Sequence, residues 1–183
     1  SSSGGLEALK IVLADLPADF PLPIIIVQHI GARSNNYLIK YLNNKSNLEV
    51  VEASPEQQIT RGKIYVAPAN YHLLVEDNYT FSLIVGELIN YCRPAIDPLF
   101  ETAAEVMQDK LIGIILTGAN QDGSQGLKKI KEFGGLTVVQ NPKTAYSFRM
   151  PQAASKTVEV DHLLELVEIK DLLISLSRSD NDE

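Results

Sequence analysis

The chain has 183 residues, 45% hydrophobic and 21% charged, enough to enclose one substantial core and too few for two ordinary domains. A net charge of -7 and a pI near 5.0 argue against the clustered Lys and Arg that a nucleic-acid surface needs, and the single cysteine, Cys92, excludes an intrachain disulfide and any multi-cysteine metal site. No apolar run approaches the ~20 residues of a membrane span, and the first residues lack the basic and apolar regions of a signal peptide, so the expectation is one cytoplasmic domain over 1–183, without membrane insertion, metal or cofactor.

The chain opens SSSGGLEAL, small polar residues set directly against apolar positions at helical spacing: Leu6, Leu9, Val12, Leu13 and Leu16, with Pro17 and Pro21 marking the exit. Residues 23–28 (PIIIVQ) form a short β-branched run without alternation, as in a strand covered on both faces, and deliver His29 at its C-terminal end. A helical stretch from about Ser34 to Leu42 leads to Leu48–Val51, and Lys63–Ala67 reads as a strand closed by Pro68. Leu73–Val75 and Thr80–Val85 flank Glu76-Asp77-Asn78 as an antiparallel hairpin. Asp97-Pro98 has the form of an N-cap followed by proline, starting a helix through Val106.

Leu111–Leu116 is the clearest buried strand and ends in Thr117-Gly118-Ala119-Asn120-Gln121-Asp122-Gly123. A helix from about Ser124 to Phe133 stops at Gly134-Gly135, Leu136–Gln140 supplies another strand, and helical periodicity returns from Leu163 to Leu176 before an acidic tail at about 177–183. There is no internal repeat and no linker. Strands alternating with helices predict an α/β fold: three layers, a mostly parallel doubly wound sheet with helices on both faces, and one antiparallel hairpin.

In such sheets ligands bind beyond the carboxyl ends of the strands, which is where His29 and Asp122 fall. If the serine loop joins them, a hydroxyl, an imidazole and a carboxylate are available for nucleophilic catalysis: histidine takes the hydroxyl proton, the carboxylate holds the imidazole tautomer, and the serine oxygen attacks a carbonyl carbon. The N–H of Ser3, at a helix start, and one from Gly118-Ala119 are the natural donors to a developing oxyanion.

These residues carry a resemblance. Ser1–Leu9, Gln28-His29, Val66-Ala67-Pro68 with His72, Arg93-Pro94-Ala95-Ile96-Asp97, Leu116–Gly123 and Met150-Pro151 resemble, in the same order over nearly the whole chain, motifs of the catalytic domain of CheB-type chemotaxis protein-glutamate methylesterases. The resemblance implies Ser2 as nucleophile, His29 as general base, Asp122 as the group orienting it, and Ser3 and Ala119 as backbone oxyanion donors. It also implies Arg93 and Met150 at the substrate, a methylated chemoreceptor as protein partner, methanol as product, and possible deamidation of receptor glutamines. Three adjacent hydroxyls leave Ser1 and Ser3 as alternatives by spacing alone. Ala119 and Asn120 stand where the family pattern has methionine and glycine. These residues show no counterpart of a regulatory receiver domain, so phosphorylation control is not expected.

Plainer readings stand beside these. SSSGG alone suits a helix cap or a phosphate cradle, which makes a phosphosugar-binding module the rival function; a degenerate homologue that binds receptors without turnover is a third. Asp122 could cap the helix from Ser124, Arg93 could sit in a surface ion pair, and Asp97 reads as a cap. Cys92, with no partner placed beside it, reads as a buried inert thiol, and His72 and His162 as packing residues.

Overall fold

A computed structural model describes residues 1–29, 31 and 35–179, with the backbone alone given at 35 and 179. The element order is α1 (Gly5–Leu13), β1 (Ile24–Ile26), α2 (Asn35–Asn43), β2 (Glu49–Glu52), β3 (Lys63–Val66), β4 (His72–Val75), β5 (Phe81–Ile84), α3 (Ile96–Met107), β6 (Ile112–Ile115), α4 (Ser124–Glu132), β7 (Leu136–Gln140), α5 (Arg149–Thr157), β8 (His162–Leu164) and α6 (Leu166–Ser179). Six strands form two three-stranded parallel sheets, ordered β1-β3-β2 and β6-β7-β8, while β4 and β5 pair as the antiparallel hairpin. Ile64 lies opposite both Ile24 and Val50, and Ile114 opposite Val138.

Strand side chains alternate between faces, and both faces are covered. Ile64, Val66 and Val138 pack with Leu9 and Val12 of α1, Leu42 of α2 and Ile169 of α6. Their chain neighbours Tyr65, Ala67 and Val139 pack on the other side with Leu99 of α3, Leu127 of α4, Met150 of α5 and Phe81 of the hairpin. Two cores therefore sandwich the strands, the three-layer arrangement expected of the alternating pattern.

Residues Ser1 and Ser2 lie between the ends of β1 and β6. The Ser1 nitrogen donates to Val27 O at 2.9 Å, His29 N–H to Ser1 O at 2.9 Å, and Ser2 N–H to Thr117 O at 2.9 Å. The serine loop is thus joined to the strand that delivers His29 and to the loop that carries Asp122.

Four local expectations change. The helix predicted from Leu163 is a strand at His162–Leu164 with α6 beginning at Leu166; the strand is set by Asp161, whose carboxylate accepts from Thr137 N–H at 2.9 Å and Thr137 Oγ1 at 2.8 Å, a tie that periodicity does not read. Helix α5 has no counterpart among the predicted elements; Pro151 is its third residue, where no intrahelical N–H bond is forgone. The N-cap of α3 is Ala95 rather than Asp97. The expected tail begins inside α6, which includes Ser177 and Arg178; residues 180–183, and Ser34 at the predicted start of α2, fall outside the described residues.

Candidate active site

The loop before α1 needs both of its glycines. Gly4 has φ +79°, and a Cβ there would lie 2.6 Å from Tyr146 Cβ; one on Gly5 would meet Gln28 Oε1 at 1.9 Å. This turn separates the three serines. Ser1 is buried and its hydroxyl donates to Gln28 Oε1 at 2.6 Å. Ser3 is exposed, with its carbonyl accepting from Thr117 Oγ1 at 2.7 Å. Ser2 is half-buried, and its backbone is fully engaged: besides the N–H bond to Thr117 O, its carbonyl accepts from Gln28 Nε2 at 2.9 Å and Gly5 N–H at 2.8 Å. Its hydroxyl bonds no partner among the described residues.

His29 meets Asp122 directly, Nε2 to Oδ2 at 2.7 Å. A carboxylate only accepts, so Nε2 carries the proton and Nδ1 presents its lone pair. Nδ1 faces Cys92 Sγ at 3.3 Å, and Asn120 Nδ2 donates to the same sulfur at 3.4 Å. Among the described residues no serine hydroxyl bonds the ring; what joins them is the His29 N–H to Ser1 O bond.

Asp122 is fully buried and held by more than His29. Its Oδ2 accepts from Ile96 N–H at 2.6 Å and its Oδ1 from Asp97 N–H at 3.2 Å, so it caps α3 rather than the helix that follows it. Burial pushes its pKa up, but the His29 bond and the two N–H groups outweigh that and leave it below the usual carboxylate range. Asp97 returns the favour, accepting from Gly126 N–H of α4 at 2.8 Å. There burial dominates, and with Asp122 close by the Asp97 pKa rises to about 6 despite the N–H groups of Gly126 and Gly123. Each carboxylate thus caps the helix belonging to the other.

The second loop is pinned from below. Thr117 N–H donates to buried Gln140 Oε1 at 2.8 Å, Gly118 N–H to Ser147 O at 3.1 Å, and Met150 N–H to Gly118 O at 3.0 Å. The N–H groups of Ser3 and Ala119 donate to no acceptor among the described residues. A cleft of about 350 Å³ opens beside the ring, lined by His29, Leu88, Tyr91, Cys92, Arg93 and Pro94. Arg93 lines it, its Nη1 donating to Gly86 O at 2.5 Å; among the described residues its buried Nε has no partner and its side chain joins no ion pair. Met150 is placed differently: it is fully buried beneath Gly118, where a Cβ would strike its Sδ at 2.5 Å, and supports the loop from the core side instead of lining the cleft.

Cys92 is corrected in one respect. Two polar partners stand beside it, although burial and the charge of Asp122 raise its thiol pKa. His72 is a satisfied core residue, accepting from Ala95 N–H at Nδ1 and donating from Nε2 to Glu87 O. The residues missed as contributors are Gln28, Gln140 and Asn120. The first two had a signal, an amide closing an otherwise apolar strand run; Asn120 had none, because its partners come from another loop. Among the described residues no three His, Cys, Asp or Glu side chains converge as a metal site needs, and no helix is long and apolar enough to cross a membrane.

Comparison with known proteins adds a consistent set of likenesses. The family profile described as CheB methylesterase matches residues 1–173. A Leptospira interrogans protein, provisionally named a protein-glutamate methylesterase/protein-glutamine glutaminase, is 52% identical over 100% of this chain and 94% of its own length. The Thermotoga maritima protein-glutamate methylesterase/protein-glutamine glutaminase is 34% identical over 96% of this chain and 52% of itself. The crystal structure of the Thermotoga maritima CheB methylesterase catalytic domain matches with a TM-score of 0.92 at 34% identity, covering 96% of this chain and 94% of that one.

Proposed function

This chain belongs to the CheB methylesterase family, and from that premise we propose that it hydrolyses glutamyl methyl esters on methylated chemoreceptors, releasing methanol, with Ser2 as nucleophile, His29 as base and Asp122 as its orienting carboxylate. The observation that carries the mechanism is the 2.7 Å bond from His29 Nε2 to buried Asp122, in the loop cluster that holds Ser2, whose hydroxyl bonds no partner among the described residues. With Nε2 committed, Nδ1 is the basic nitrogen. It takes the Ser2 proton, replacing the weak thiol contact of Cys92, as Ser2 Oγ bonds to the ester carbon.

Negative charge then builds on the carbonyl oxygen, and the N–H groups of Ser3 and Ala119, unpaired among the described residues, are the donors that receive it; losing one such donor costs about 3 kcal/mol of transition-state stabilisation. The imidazolium, stabilised by Asp122, returns the proton to the departing methoxide, and methanol leaves. Water attacks the acyl-serine by the same route, freeing the glutamate carboxylate and the hydroxyl. A glutamine side chain would follow the same path with ammonia leaving. The lone cysteine fits a cytoplasmic setting.

Ser1 is unsuited to attack because its hydroxyl is already spent on Gln28. A phosphate-binding reading would leave the His29–Asp122 pair idle. The test is methanol release from a methylated receptor by the purified protein: Ser2→Ala abolishes it, falling by at least 1,000-fold. Full activity in Ser2→Ala with loss in Ser3→Ala would move the nucleophile one residue on, and retention in both would end the serine mechanism.

A further inference from the structure

The turn at Ile89–Cys92 stands at the mouth of the cleft. Ile89 and Cys92 exchange backbone hydrogen bonds of 3.1 and 2.9 Å, which makes Asn90 and Tyr91 the central pair of a two-residue turn with φ of +50° and +64°. Turns of this hand suit Asn and Gly; a bulky aromatic in the left-handed region is strained. The turn is nevertheless clamped, since Asn120 Nδ2 donates to Asn90 O at 3.2 Å from the loop that carries Asp122.

Tyr91 gains nothing inside the protein for that strain. Its side chain makes no hydrogen bond or ring contact among the described residues, and the residue is 96% exposed. Leu88, also exposed, lines the same cleft as Tyr91 and His29. Against the serine loop stands a second exposed aromatic, Tyr146. Strained backbone that holds an amphipathic ring out in water answers to something outside the chain.

We infer that Tyr91 is a specificity-determining residue: with Leu88 it docks the apolar protein surface that flanks the esterified glutamate, holding a macromolecular substrate over the cleft while taking no part in bond making. This rests on the methylesterase reading, and it commits to the ester-bearing protein segment as the occupant because the patch runs continuously into the proposed site.

Tyr91→Gly suits the turn and removes the ring. The expected result is an unchanged or higher melting temperature, a KM for a purified methylated chemoreceptor domain raised at least tenfold with kcat kept, and unaltered hydrolysis of p-nitrophenyl acetate. An unchanged receptor KM would overturn the inference, as would a parallel loss on the small ester. Should the unmodified protein turn over neither ester, the parent reading fails instead. Docking is then judged by calorimetric titration of Ser2→Ala protein with the receptor domain: tenfold weaker binding on adding Tyr91→Gly supports it, and equal or absent binding in both refutes it.

Discussion

Cys92 occupies the position that decides whether the imidazole can work. Its sulfur lies 3.3 Å from His29 Nδ1, so any group added to it would crowd the nitrogen that must accept the Ser2 proton. Alkylation with iodoacetamide is therefore expected to cut ester hydrolysis at least tenfold, and a Cys92→Ala protein to resist the reagent. Because burial raises the thiol pKa, labelling should be slow at pH 7 and quicken above pH 9; mass spectrometry against residual activity checks both. Labelling of Cys92 without loss of activity would remove Nδ1 from the mechanism. Residues of this kind are hard to read in a linear chain. His29 and Asp122 stand out because each follows a β-branched run, but the thiol beside the ring and the Gln28 amide that ties Ser1 and Ser2 to His29 depend on which loops converge. Met150 shows the reverse: its place in a motif was visible, its burial under Gly118 was not.

Helices α3 and α4 meet through the exchanged carboxylate caps, and Gly126 permits it, since a Cβ there would fall 2.4 Å from Phe100 Cβ. The caps differ electrically. An unfolded Asp97 would release its proton near pH 4, the folded one at about 6, so between those values the native state binds more protons and stability falls as pH rises. Asp97→Asn keeps an oxygen for Gly126 N–H and has no charge to bury. Its melting temperature relative to the parent should therefore increase from pH 4 to 6 and level off above pH 7; a difference independent of pH would show that the charge of Asp97 carries no such cost. At this scale the chain pattern served well for β6, α4 and β7, whose runs are long or cleanly stopped, and failed for β8, where two adjacent leucines suit a strand and a helix start equally until Asp161 binds Thr137.

Across the whole molecule the two cores share the same strands. Val138 and Val139 are adjacent and fully buried, yet one packs with α1, α2 and α6 and the other with α3, α4, α5 and the hairpin. Truncating either to alanine should cost about 2 kcal/mol and lower the melting temperature by roughly 5 °C, in a single calorimetric transition for both variants. Two separated transitions would show that the layers unfold independently. Layer order was readable from alternation of strands and helices, whereas the insertion of Ser1 and Ser2 between two three-stranded sheets was not, because those residues carry no strand signal. Asp122 closes the account of how site and scaffold interlock: the oxygen that grips the imidazole also grips Ile96, so an asparagine or alanine in its place would unseat a helix while disarming the base. A silent but intact version, fit for trapping bound receptor, is to be made at Ser2, whose hydroxyl anchors nothing among the described residues.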